Sequence, residues 1–175
     1  VAGLCVGGVS RRTLFDGSKV RAGDAVVGLA SSGVHANGFS LVRKVFSEAQ
    51  LRKHKRALLR PTRIYVKPVL AAIRRFPIAA ITHVTGGGLS RRIPALVSAR
   101  AGLCARLIEG SWPVPEIFRR IQAAGALSDE AMAGTFNMGI GLAVVCPPRA
   151  AAPLVRYFAK ARIGAWRIGQ IERGT

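Results

Sequence analysis

Ile78-Ala79-Ala80-Ile81-Thr82-His83-Val84-Thr85-Gly86-Gly87-Gly88-Leu89 is the stretch on which the fold turns. The apolar run at 78–81 leads in as a strand, and 89–97 leads out with the spacing of a helix. Between them stand three consecutive glycines. Such a backbone has little steric restriction. A turn of this kind can wrap an anion, with N–H groups at the helix start pointing at it. His83 adds a group that titrates near neutral pH. A plain glycine-rich turn with a structural histidine satisfies the same residues, so the stretch alone does not choose between them.

The same arrangement recurs on either side. Ala25–Ala30 reads as a buried strand running into Ser31-Ser32-Gly33-Val34-His35-Ala36-Asn37-Gly38. A helix over 39–49 follows, with Leu41, Val42, Val45 and Phe46 on one face. Thr135-Phe136-Asn137-Met138-Gly139-Ile140-Gly141 feeds a third apolar strand, Leu142–Cys146, which Pro147-Pro148 ends. Further strands are expected at 1–9, 102–108 and 166–171, the first of them apolar and buried. Further helices are expected at 66–76, 116–124 and 150–161. Gly125 can cap the second of these. Ser128 opens a short helix as its N-cap, with Asp129 and Glu130 at the positive end of the dipole. No repeat, low-complexity tract or linker interrupts the chain. The expectation is a single mixed α/β layered domain over 1–175.

Length permits one domain with a sizeable core. Half the residues are hydrophobic and only 6% aromatic, so that core is mainly aliphatic. No apolar run reaches the roughly 18 residues that a membrane-spanning helix needs, and 1–9 lacks the basic flank of a signal peptide. The chain starts on Val rather than Met, as a fragment or processed product would. Cys5, Cys104 and Cys146 sit apart in apolar runs, with no C-x-x-C pair. Neither zinc ligation nor a disulfide framework is expected, and small buried residues are. The charge is unusual: 27 Lys plus Arg against 8 Asp plus Glu, a net +19. That balance attracts polyanions, nucleic acid included. The basic residues are nevertheless spread in pairs, and only Arg52-Lys53-His54-Lys55-Arg56 forms a cluster. A compositional bias carried on solvated helix faces reads the same pattern equally well.

The three polar loops are candidates for one site. Ser31, Ser32, Asn37, Thr85, Thr135 and Asn137 supply neutral donors and acceptors, while His35 and His83 can carry protons. None of the loops offers a carboxylate. Carboxylate-held Mg²⁺, two-carboxylate acid–base chemistry and a Ser–His–acid triad are therefore not expected within this chain. A Walker-type G-x-x-x-x-G-K-[ST] is missing as well.

Five blocks carry a specific resemblance: Gly28-Leu29-Ala30-Ser31-Ser32-Gly33-Val34-His35-Ala36-Asn37-Gly38-Phe39-Ser40-Leu41, Pro61-Thr62-Arg63-Ile64-Tyr65-Val66, His83-Val84-Thr85-Gly86-Gly87-Gly88-Leu89, Trp112-Pro113-Val114-Pro115, and 135–141. In order and spacing they resemble the second half of phosphoribosylformylglycinamidine cyclo-ligases, the aminoimidazole ribonucleotide synthetases. The resemblance implies a three-layer α/β/α domain that closes a cleft. It implies an N-terminal domain, absent from this chain, that supplies most of the ATP site, the acidic Mg²⁺ ligands and most of a homodimer contact. The implied reaction activates the formamide oxygen of formylglycinamidine ribonucleotide with ATP and closes the imidazole ring, in the cytoplasm. By the same resemblance His83, His35 and Asn37 take catalytic roles. Ser31, Ser32, Thr85, Gly86, Gly87, Gly88, Thr135 and Asn137 take substrate contacts. Without its partner half the chain is expected to be inactive. A basic RNA-associated protein on the same fold, or another ATP-dependent member of the superfamily, remains open on sequence grounds.

Overall fold

The computed structural model of the protein describes residues 3–97 and 102–174. Its centre is a five-stranded antiparallel sheet built from β1 (Ala25–Ala30), β2 (Ala80–His83), β3 (Leu103–Leu107), β4 (Ile140–Cys146) and β5 (Ala165–Arg173), in the order β2-β4-β1-β5-β3. Around it lie α1 (Phe39–Val45), α2 (Glu48–Leu58), α3 (Val66–Ile73), α4 (Gly88–Arg92), α5 (Glu116–Gly125), α6 (Asp129–Thr135) and α7 (Pro148–Lys160).

β4 is buried along its whole length and β1 along nearly all of it. Both strands read as unbroken apolar runs because the sheet is covered on both faces, which apolar alternation alone would not give. Ala25, Val27 and Leu29 face Leu154 and Phe158 of α7 and Val69 and Ala72 of α3. Val26, Ala143 and Val145 face the other way, onto Leu89, Ile93 and Leu96. The expected three layers are present. A third cluster, with Phe118 and Phe136 at its centre, joins α1, α2, α5 and α6 beyond one end of the sheet.

Several expectations change. The strand expected at 1–9 does not pair with this sheet. Residues 1–2 lie outside the described residues, and 3–9 run without helix or strand, their apolar side chains exposed. Cys5 and Cys104 are exposed, and only Cys146 is buried. The helix expected over 39–49 is two helices, because Ser47 starts a new one. Its hydroxyl accepts from Gln50 N–H, and Gln50 Oε1 accepts from Ser47 N–H, a reciprocal capping box. The basic cluster 52–56 therefore lies on α2. The helix expected over 89–97 is shortened to Gly88–Arg92, with a 3₁₀ turn at Pro94–Leu96. Proline cannot donate to a continuing α-ladder. Gly125 is helical and Ala126 makes the left-handed turn instead, with φ 46°. Ser128 caps α6 as expected, accepting from Ala131 N–H.

Candidate functional site

The three polar loops meet at one corner of the sheet. β1 delivers 31–38, β2 delivers 83–88, and 135–139 runs from α6 into β4. Sheet register sets the meeting point, since His83 pairs with Leu142 and Leu29 with the same residue from the other side. Ser31 N–H donates to Gly139 O at 2.8 Å, and Val84 N–H donates to Gly141 O at 2.9 Å. Gly88 is buried where α4 crosses α6, and any side chain there would overlap the Ala133 carbonyl. Its N–H donates to Thr85 O, and Leu89 N–H donates to Phe136 O. These donors are therefore spent inside the loop. Gly88 packs two helices together rather than cradling an anion. Gly87 is the left-handed cap of α4, with φ 88°. Gly86 is the exposed member, its carbonyl held by Arg92 Nε at 3.0 Å. Thr85 and Thr135 are half-buried at the loop edges.

Asn137 is 1% exposed and its amide makes three hydrogen bonds. Nδ2 donates to Gly33 O at 2.9 Å and Val34 O at 3.3 Å, and Oδ1 accepts from Gly139 N–H at 2.9 Å. This residue clamps the first loop to the third. Both N–H donors are used and the side chain is buried, which suits positioning of the loops rather than direct contact. The clamp also holds two non-glycine residues at positive φ, His35 at 60° and Met138 at 47°. Such strain persists only where surroundings over-determine it. Ser32 Oγ donates to Pro61 O at 2.6 Å and is likewise structural. Asn37 is half-buried, with no hydrogen bond among the described residues, and remains available.

The two histidines differ. His35 is 4% exposed, and its Nε2 accepts from Ser32 N–H at 3.1 Å and from Arg63 N–H at 3.5 Å. A nitrogen that accepts these donors cannot also carry a proton, so the ring is neutral with its hydrogen on Nδ1. Burial, then the His83 and Arg63 charges, push its pKa down to about 4. His35 does not carry protons near neutral pH, contrary to the sequence expectation. It offers a fixed N–H. His83 is exposed at the end of edge strand β2, its ring 6.1 Å from His35. Partial desolvation and then the Arg92 charge lower its pKa. It is the better placed of the two to exchange a proton.

Tyr65 and Arg63 belong to the corner; the 61–66 block contains them, but the sequence reading gave them no role. The Tyr65 ring lies 6.5 Å from His35 and 6.2 Å from His83, and its hydroxyl donates to Ala30 O at 2.8 Å. Burial raises its pKa. Gly141 sits under this group, where any side chain would overlap both Tyr65 Oη and His35 Cε1. The available signal was the 61–66 block itself, and Pro61 keeps the chain out of helix just before it, between α2 and α3. Trp112, quoted above in the 112–115 block, packs against the core and fixes the third loop through Nε1–H to Met138 O at 3.0 Å. Among the described residues, the buried side-chain polar atoms without a hydrogen-bond partner are Ser31 Oγ, His35 Nδ1 and Arg63 Nε. All three belong to this corner. Buried polar groups are almost always paired, so orphans gathered in one place single out this corner as the candidate site. Beside them opens a groove of about 460 Å³, lined largely by apolar groups of Tyr65, Val69, Leu70 and Leu142, with His83 and Arg63 at its rim.

The donor set does not suit Mg²⁺. Among the described residues no three or more His, Cys, Asp or Glu side chains gather in one place, and a hard cation needs oxygen ligands. The basic cluster is separate, on the outer face of α2, where Arg52 pairs with Glu48. No helix among the described residues is long and apolar enough to cross a membrane.

The profile of the family described as AIR synthase related protein, C-terminal domain, matches residues 21–175. A phosphoribosylformylglycinamidine cyclo-ligase of Gloeobacter violaceus is 46% identical over 182 residues, covering 98% of this chain and 53% of the relative. One from Burkholderia mallei is 42% identical over 180 residues, with 98% and 51% covered. The chain thus spans about half the length of these relatives. Among solved structures, a thiamine-monophosphate kinase from Stenotrophomonas maltophilia superposes with a TM-score of 0.66 at 18% identity, covering 95% of this chain and 53% of that one. T. maritima PurL complexed with AMPPCP gives 0.61 at 14%, covering 94% and 24%. At such identities the likeness establishes the fold alone.

Proposed function

The chain belongs to the AIR synthase related family, as its C-terminal domain, and from that premise we propose that it is the second half of a phosphoribosylformylglycinamidine cyclo-ligase of purine biosynthesis. One observation carries the reading. The loops that resemble the family's signatures converge on a corner holding Ser31 Oγ, His35 Nδ1 and Arg63 Nε, all buried and unpartnered.

Each side chain then has a defined task. His35, neutral and locked by its Nε2 acceptor bonds, presents Nδ1–H as a preorganised donor, the kind of group that stabilises charge as it develops on a reacting oxygen. His83, exposed beside it, moves the proton that ring closure releases. Arg63, Thr85 and Gly86 meet the phosphoribosyl part, and Asn37 offers its free amide. Asn137, Tyr65 and Gly141 hold these groups in register. ATP supplies the activation of the formamide oxygen. ATP and Mg²⁺ are held mainly by the other half. The exposed apolar side chains Ile64, Val66 and Leu70 beside the groove suit coverage by that half. The whole enzyme is a cytoplasmic homodimer, and this chain alone does not turn over.

The test joins the first half of the Gloeobacter violaceus relative to Val1 and measures ADP release dependent on formylglycinamidine ribonucleotide. Substrate-dependent turnover is expected, with His83→Ala lowering kcat at least tenfold. A folded fusion without turnover sinks the reading, and an active fusion indifferent to His83→Ala removes the assignment of the site.

A further inference from the structure

Gly88 N–H donates to Thr85 O at 3.0 Å, which closes a four-residue turn over 85–88. Gly87 has φ 88° and ψ 1°, whereas Gly86 does not lie at positive φ. Those angles make a type II turn. A type I turn has the same ends and the same closing bond. The two types differ in ψ of the second residue and φ of the third, so the peptide between those residues turns over by roughly 180°. A side chain ordinarily helps decide between them, because a residue with a Cβ resists the positive φ of type II. Two adjacent glycines leave both arrangements open.

Peptides on both sides of this one are pinned. Val84 N–H donates to Gly141 O at 2.9 Å, and Leu89 N–H donates to Phe136 O at 3.3 Å. The Gly86–Gly87 peptide has one tie. Its carbonyl accepts from Arg92 Nε at 3.0 Å. Among the described residues its N–H, on Gly87, has no partner, and neither has the N–H of Gly86. Space does not restrain the turn either, since a side chain built on Gly86 would meet nothing within 4 Å. Arg92 is well placed to hold it. Leu89 and Ile93 on either side are buried and fix the helix that carries it. Among the described residues no carboxylate pairs with the Arg92 guanidinium.

We propose that Arg92 is a positioning residue: its Nε–H latches the Gly86–Gly87 peptide in the type II orientation, and so fixes which backbone groups the turn offers to the phosphoribosyl part of the substrate. The substrate in this statement rests on the cyclo-ligase reading, and the latch does not. Without the latch the peptide samples both orientations, of which one is competent. Apparent affinity falls by the competent fraction, about twofold at equal populations. The groups at His35 and His83 are untouched, so the loss falls on KM rather than kcat.

Side-chain length makes the test selective. Glutamine carries an N–H donor at the chain position of the arginine Nε, without the charge. Lysine carries the charge with a methylene at that position. Methionine has neither. Amide NMR spectra and relaxation dispersion at 86–88 are recorded on the chain alone. Arg92→Met shifts or exchange-broadens the Gly87 amide, and Arg92→Gln leaves it as in the unaltered chain. In the fusion described above, Arg92→Met raises KM for formylglycinamidine ribonucleotide at least about twofold at unchanged kcat, and Arg92→Gln keeps the parent KM. Turnover is read at about pH 8, where His83 is neutral with or without the Arg92 charge that, after desolvation, lowers its pKa. An unmoved Gly87 amide in Arg92→Met overturns the latch whatever the fusion does. A moved amide with KM unchanged overturns the positioning role. Arg92→Gln failing where Arg92→Lys succeeds assigns the effect to charge and also overturns the proposal. A fusion without turnover sinks the cyclo-ligase reading, while the amide spectra still decide the latch.

Discussion

Asn137→Ala removes the amide that ties 33–34 to 139. Three bonds are lost, at 2.9 and 3.3 Å to the Gly33 and Val34 carbonyls and at 2.9 Å from Gly139 N–H. With the residue 1% exposed, water cannot replace them easily. A buried donor or acceptor left unpaired costs about 1–3 kcal/mol. Gly139 N–H and Gly33 O carry most of the loss, since the longer bond to Val34 adds little. The expected destabilisation is about 3–5 kcal/mol, a large share of the roughly 5–15 kcal/mol that holds a domain folded. With a slope of about 2 kcal/mol per molar urea, the unfolding midpoint falls by about 2 M. Asn137→Asp separates donor from volume, because it keeps an oxygen for Gly139 N–H and loses both N–H donors. At neutral pH it is at least as unstable as Asn137→Ala. Urea unfolding followed by circular dichroism measures both. A loss below about 1 kcal/mol in both variants would refute the clamp and return the amide to the substrate.

Two further expectations rest on the same corner. His35 titrates at about 4 in the folded chain against an ordinary 6.5, so the unfolded chain binds the extra proton first as pH falls. Stability is therefore full above pH 6.5 and declines toward pH 4, by about 3 kcal/mol at roughly 1.4 kcal/mol per pH unit. Urea midpoints measured across that window, with His35→Gln flattening the decline, check it, and an imidazole NMR titration centred near 6.5 would contradict it. Gly141→Ala drives a methyl into Tyr65 Oη and His35 Cε1 and is expected to cost about 1–3 kcal/mol. Tyr65→Phe, which removes the overlapped hydroxyl, makes the double variant less unstable than the sum of the two. Strict additivity of the thermal shifts would show that these groups do not touch.

Most of the fold was legible because the signals are local. Ser128, Pro147-Pro148 and the apolar runs at β1 and β4 act within a few residues, and each sits where its pattern put it. Failures came where local patterns compete. The 39–49 periodicity runs through Ser47, but a side-chain cap there is a better partner for the backbone than a continued helix. The apolar pattern of 1–9 fits a buried strand, but among the described residues nothing pairs with 3–9.

Sequence by itself determined the family, the strand–loop–helix order and the three loops that hold His35, His83 and Asn137, since those depend on residue type and spacing. Tertiary structure alone decided what each group does. His35 is neutral because backbone N–H groups from Ser32 and Arg63 converge on one nitrogen. Asn137 is a clamp because it lies 104 residues from the carbonyl it holds. Gly88 is a packing surface because α6 crosses it. Hydrogen-bond partners and burial are set by which segments meet across the sheet, and that information is spread over the whole chain rather than written at any one position.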